Sequence, residues 1–144
     1  MDHVVYLDAK AKELDLLLSA NKKMIIRGAA GRKLPHGRVN EGDILYFINN
    51  NAEGIILATA KVKSVFNSDK MNEEESAKLV NSHQAKLQLT KQQFDRWAGK
   101  RYLVLIEVTG VKKVEPFQID KSNYGNMDDW LSVEQIEKVK IKNK

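Results

Sequence analysis

Apolar and polar positions along the chain follow two different periods, and the switches between them mark out the elements. Residues 3–7, His-Val-Val-Tyr-Leu, form a short apolar run, and Asp8 behind it suits the start of a helix, so a strand and then a helix over 9–21 are expected. Ala11, Leu14, Leu17 and Leu18 lie on one stripe of that helix. Further strands are expected at 23–27 and at 43–48, the latter built on Ile44-Leu45-Tyr46-Phe47-Ile48, with a glycine-punctuated loop between them. Residues 49–54 are turn formers. The apolar run at 54–66 alternates cleanly only from Ala58 onward and reads as two antiparallel neighbours.

Two helix starts are written in capping residues. Asn72 precedes Glu73-Glu74-Glu75, acids that complement the positive end of a helix dipole, and this helix should run to about His83. Thr90-Lys91-Gln92-Gln93 is a capping box whose helix presents Phe94 and Trp97 as its apolar face and stops at Gly99. Residues 102–108 form the most apolar strand, with 111–117 as its hairpin partner across Thr109-Gly110 and Pro116 at an edge. After a turn at 123–126, Ser132-Val133-Glu134-Gln135 reads as another capping box, starting a short helix that buries Val133 and Ile136. Residues 138–144, where lysines alternate with Val139 and Ile141, are an edge strand or a frayed end. Six or seven strands against three or four short helices predict an α+β fold, a small mixed or antiparallel β-barrel with short helices packed at its ends.

Composition narrows the class. At 144 residues and 42% hydrophobic, the chain supports one domain over 1–144 with a real core. It has no cysteine, which removes disulfides, thiolate nucleophiles and zinc ribbons together, and its three histidines, His3, His36 and His83, lack ligand spacing. No metal and no cofactor is therefore expected. There is no charged-then-apolar leader and no apolar run of roughly 20 residues, so a cytoplasmic protein without a membrane span is expected. A net charge of +5 suits a polyanionic partner.

Charge distribution points to the loop between the second and third strands. It carries Arg27, Arg32, Lys33, His36 and Arg38 with no acid before Glu41, and Gly28, Gly31 and Gly37 let the backbone approach a ligand. Such cations meet phosphates, with backbone N–H groups adding to the anion site. The loop is not a nucleoside triphosphatase loop: Gly28 and Gly31 stand too close together and Lys33 has no Ser or Thr after it. Trp97 reads as core. Trp130 either seals the barrel or stands at its mouth with Tyr124, where aromatic faces stack on splayed bases.

The order strand, helix, basic strand, loop, Gly42-Asp43 turn, aromatic strand resembles the PUA-like superfamily, in particular ASCH domains and the related EVE domains. Family members carry a Gly-x-Lys-x-x-Glu-x-Arg motif where the first helix turns into the next strand. Residues 20–27 occupy that place with Lys22 and Arg27 matching, while Ala20 stands for the glycine and Ile25 for the glutamate. A second register, 31–38, keeps Gly31, Lys33 and Arg38 but puts His36 at the glutamate and lies inside the loop. The resemblance implies a barrel with a cleft at this loop. Without the motif's glutamate, binding is the stronger reading over catalysis.

The function expected is a nucleic-acid-binding module for RNA, with a modified nucleoside or nucleotide as the other ligand class. Arg27, Arg32, Lys33 and Arg38 would contact phosphates and Tyr124 or Trp130 a base. The alternative is a hydrolase acting on a nucleoside or RNA in the same cleft, using Lys22 or Lys33 with His36 or a distant acid such as Glu107. A third reading, a protein-interaction surface around Trp130, requires an exposed apolar patch there.

Overall fold

A computed structural model describes residues 1–124 and 129–141. Among these, the strands β1 (Asp2–Leu7), β2 (Met24–Ala29), β3 (Ile44–Asn49), β4 (Ile55–Asn67), β5 (Tyr102–Gln118) and β6 (Trp130–Glu134) form one sheet in the order β2-β5-β4-β3-β1-β6. β1 and β3 run parallel and every other pair is antiparallel. The sheet curls into a half-barrel whose open seam lies between the two edge strands, β2 and β6.

Strand alternation produces three apolar clusters. Val5 and Leu7 of β1, Ile25 of β2, Phe47 of β3 and Ile106 of β5 face the interior together with Trp130. The neighbouring positions Val4, Ile48 and Leu131 face the other way, where Ile119, Ile136 and Val139 cover them. Met24, Ile26, Leu103 and Leu105 are covered by helices α2 (Glu73–Ser82), α3 (Gln84–Leu87) and α4 (Lys91–Trp97) through Val80, Leu87 and Trp97. The capping boxes of α2 and α4 form as expected, with Asn72 accepting from the Glu75 amide and Thr90 from that of Gln93.

Four local expectations are corrected. Residues 54–66 are one strand: β4 pairs with β3 on one side and β5 on the other, and the break in alternation at Leu57 is a bulge, since Phe47 pairs with Ala58 and Ile48 with Ile56. Thr109-Gly110 is likewise a bulge inside continuous β5, because Thr109 and Lys112 both pair with β4; Gly110 takes φ +64 there. The segment after Ser132 is strand β6, and the single helical turn comes later, at Ile136–Lys138, where the Asp2 carboxylate accepts from the Ile136 amide at 2.8 Å. The first helix, α1, covers only Glu13–Leu18, because Asp8 ties the Ala11 amide into a turn and Lys12 is left-handed at φ 54. Of the turn expected at 123–126 and the strand at 138–144, residues 125–126 and 142–144 lie outside the described residues.

Candidate nucleic-acid interface

Arg27 stands on the same face of β2 as Ile25, so its side chain enters the barrel at the seam rather than solvent. It is 6% exposed. One terminal nitrogen donates to the Ile26 carbonyl at 2.7 Å, and the other crosses the seam to the Tyr6 carbonyl of β1 at 2.6 Å. Its guanidinium lies 5.9 Å from the ring centres of both Trp97 and Trp130, a spacing at which cation–π attraction operates. Nε lies 3.2 Å from Asp129 Oδ2 but is buried without a hydrogen bond among the described residues. Arg27 therefore joins β2 to β1 across the seam and places positive charge under the cleft there.

That cleft has a volume of about 170 Å³, below the roughly 300 Å³ at which pockets for drug-sized ligands begin. Three stretches of chain supply its basic side chains: Arg27 on β2, Lys33 and His36 in the loop, and Arg96 with Lys100 at and after the end of α4. Trp97 and Tyr102 form aromatic walls. Arg96 lies over Trp97 at 4.3 Å, and Arg32 lies over Tyr102 at 5.6 Å on the rim. Asp129 is the one carboxylate in the lining among the described residues, with Oδ2 3.7 Å from Arg96 as well. Gly28 allows β2 to press on β5, since a Cβ there would lie 2.6 Å from Leu103 Cδ2.

The basic loop is fastened. The His36 Nε2 donates to the Ser68 carbonyl at 2.8 Å, its ring meets Tyr102 edge-on at 5.7 Å, and the Gly37 amide donates to the Asn67 side chain at 2.8 Å. Successive turns, from the His36 amide to the Lys33 carbonyl and from Arg38 to Pro35, hold the loop compact.

The structure thus brings Arg27, Lys33 and His36 together, sets Arg32 on the rim, and leaves Arg38 exposed outside the lining. Other sequence candidates separate from the cleft. Lys22 is 1% exposed and buried beside Glu13 at 3.3 Å, with Nζ donating to the Leu87 carbonyl. Burial lowers its pKa against the opposing pull of the Glu13 carboxylate. It is a structural cation, so the catalytic role considered for it has no access to the cleft. Glu107 is equally remote: Lys86 and Lys63 hold it at 2.8 and 3.3 Å, and their hydrogen bonds lower its pKa.

The aromatic candidates are corrected too. Trp130 is 1% exposed, so it seals the barrel and offers no face to a base or a protein partner. Tyr124 packs on the second cluster, behind β1, away from the cleft. Arg96, Lys100, Tyr102 and Asp129 were not singled out from sequence. Arg96, Lys100 and Arg101 bracket the Gly99 helix stop, and that local basic density was the available signal.

A candidate metal centre is not assembled: no group of three His, Cys, Asp or Glu gathers among the described residues, and no helix there is long and apolar enough to cross a membrane.

Solved structures similar to this chain include ASCH of Zymomonas mobilis, at 13% identity and TM-score 0.66 over 92% of this chain and 89% of that one. A tyrosine-to-phenylalanine variant of the same organism's protein matches at 12% identity and TM-score 0.69, over 95% and 93% of the two chains. A serine-to-alanine variant matches at 12% and 0.69, over 95% and 91%. No protein-family model and no curated protein sequence matches. At this identity the likeness shows the fold alone: this chain folds like the Zymomonas mobilis ASCH structures.

Proposed function

We propose that this protein is an RNA-binding module whose ligand enters the cleft at the barrel seam. The observation that carries the reading is the convergence of Arg27, Lys33, His36, Arg96 and Lys100, from three stretches of chain, on one small aromatic-walled cavity. Lys33, Arg96 and Lys100 so placed position phosphates above the buried charge of Arg27, while Tyr102 and the Arg96–Trp97 stack supply flat surfaces against which a splayed base can lie. Arg32 and Arg38 extend the positive rim for flanking phosphates. The same chemistry accommodates a modified nucleotide.

Binding of a fluorescent single-stranded RNA, titrated at several salt concentrations, tests this. Affinity should fall steeply with salt, and Lys33→Ala with Lys100→Ala should flatten the log–log slope by about 0.7 per lost contact, the value for single strands. Salt-insensitive binding, or an unchanged slope in the double variant, overturns the reading.

A hydrolase reading rests on Lys33, His36 and Asp129 lining the same cleft. Its test is product formation from RNA or nucleosides by mass spectrometry, with His36→Ala expected to abolish turnover if the reading holds.

A further inference from the structure

We infer that Asp129 and Arg96 read the Watson–Crick edge of one unpaired base, with guanine the best fit; the inference rests on the RNA-binding reading above. A carboxylate weakens a site built for phosphate alone, because like charges repel at close range in a half-buried cleft. Asp129 is nevertheless, among the described residues, the single acid in a lining that holds four lysines and arginines and one histidine. Its presence has to be matched by something that donates N–H groups.

Service as the counter-ion of Arg27 does not use up this carboxylate. The terminal nitrogens of Arg27 are satisfied by the Ile26 and Tyr6 carbonyls, and its Nε faces Asp129 Oδ2 without a hydrogen bond. Arg96 approaches the same oxygen only to 3.7 Å. An ionised carboxylate has about four acceptor positions, so both oxygens keep lone pairs free for a ligand. The side chain of Asp129 is 38% exposed and that of Arg96 62%, against 7% for Arg27. Arg27 is thus a positioning residue beneath the pair, and the pair itself is open to the ligand.

Acceptor and donor then stand side by side. The Arg96 guanidinium, held over the Trp97 ring, sets one of its terminal nitrogens 3.7 Å from the carboxylate. An adjacent donor and acceptor are what the pairing edge of a base displays, and only an unpaired base has that edge free. Guanine makes the fullest match: N1–H and the N2 amino group donate to the two oxygens of Asp129 while O6 accepts from Arg96. Uracil offers one donor in the same place.

The test uses three otherwise identical eight-residue RNAs: a uridine run, the run with one central guanosine, and the run with inosine there, which lacks the N2 amino group. The guanosine strand should bind about tenfold tighter than the uridine run, the lower end of what one hydrogen bond to a charged group contributes, with inosine between them. A complementary strand should abolish that advantage. Asp129→Asn should bring the guanosine-to-uridine affinity ratio, measured within the folded variant, down to about one, while binding of all three strands stays salt-dependent. Equal affinities for the three strands, or a preference that survives Asp129→Asn, overturns the inference and leaves RNA binding standing. Absence of salt-dependent binding to all three strands overturns the underlying reading instead.

Discussion

The Trp130 indole N–H donates to Nδ1 of His3 at 3.1 Å, and this one bond settles the state of the imidazole. An Nδ1 that accepts from an indole, and from the Ser132 hydroxyl at 3.0 Å, carries no proton, so the proton is on Nε2, which donates to Asp43 at 2.8 Å. Both rings lie in the barrel interior with His3 fully buried. Trp130 is held there by a polar bond as well as by packing, which is how a tryptophan is accommodated in a core.

Stability should therefore depend on the charge of His3. Burial lowers its pKa below 6.5, outweighing the Asp43 and Asp2 carboxylates that pull it up, while the N-terminal ammonium, 3.8 Å from Asp43, adds to the lowering. With the folded pKa below the unfolded one, the unfolded chain binds the extra proton. The stabilising effect is complete above the unfolded pKa of about 6.5 and is lost as pH falls from there through the folded value. Urea titrations at stepped pH should show this decline, and His3→Gln should have a lower but flatter profile; equal slopes would contradict the assignment.

The buried Lys22–Glu13 pair ties α1 to the segment that leads into β2 and, through the Leu87 carbonyl, to α3. Removing one charge strands the other: Glu13→Ala should cost about 3–5 kcal/mol, part of it from the Asp8 amide that Glu13 also accepts. Lys22→Met combined with Glu13→Leu should cost much less than the sum of the single changes. A double-mutant cycle by chemical denaturation measures the coupling.

Gly28→Ala should destabilise the fold by about 1–3 kcal/mol, because the new methyl group has nowhere to go between β2 and β5. The ideal Cβ meets the Tyr102 carbonyl at 3.0 Å as well as Leu103. Since Gly28 and Tyr102 both line the cleft, RNA affinity should fall in the same variant. Thermal melts and fluorescence titrations report the two effects separately.

The two capping boxes separate stability from function. Thr90→Ala and Asn72→Ala should each cost about 1 kcal/mol. Only the former frays α4, which carries Arg96 and Trp97 into the cleft, so only it should also weaken RNA binding. Thr90→Ser should restore both properties. Comparable binding loss in Asn72→Ala would show that helix stability in general, and not the seating of α4, sets affinity.

Features whose cause is local were legible without coordinates. The caps at Asn72 and Thr90 depend on side chains three residues apart, and both form. The strand positions of β1, β2 and β3 follow from short apolar runs and agree within about a residue or two, the usual uncertainty of element ends. Expectations failed where a local signal had two structural meanings. The broken alternation at Leu57 and the Thr109-Gly110 pair fit a turn or a bulge equally, and only pairing to β3 and β4 chooses the bulge. Ser132 with Gln135 has the spacing of a cap, but Ser132 is drawn into β6 beside β1 and bonds His3.

The candidate site divides in the same way. Sequence by itself determined that a loop dense in arginine and lysine follows a short strand, that no cysteine chemistry is possible, and that Arg27 stands at the head of the loop. Only the tertiary structure decided which cations share a cleft. Curvature of the sheet brings β2 opposite β6 and α4, so Arg96, Lys100 and Asp129 arrive beside Arg27 from distant parts of the chain. The same closure hides Trp130, while α1 and α3 cover Lys22. Burial is a property of the assembled sheet, and no spacing along the chain encodes it.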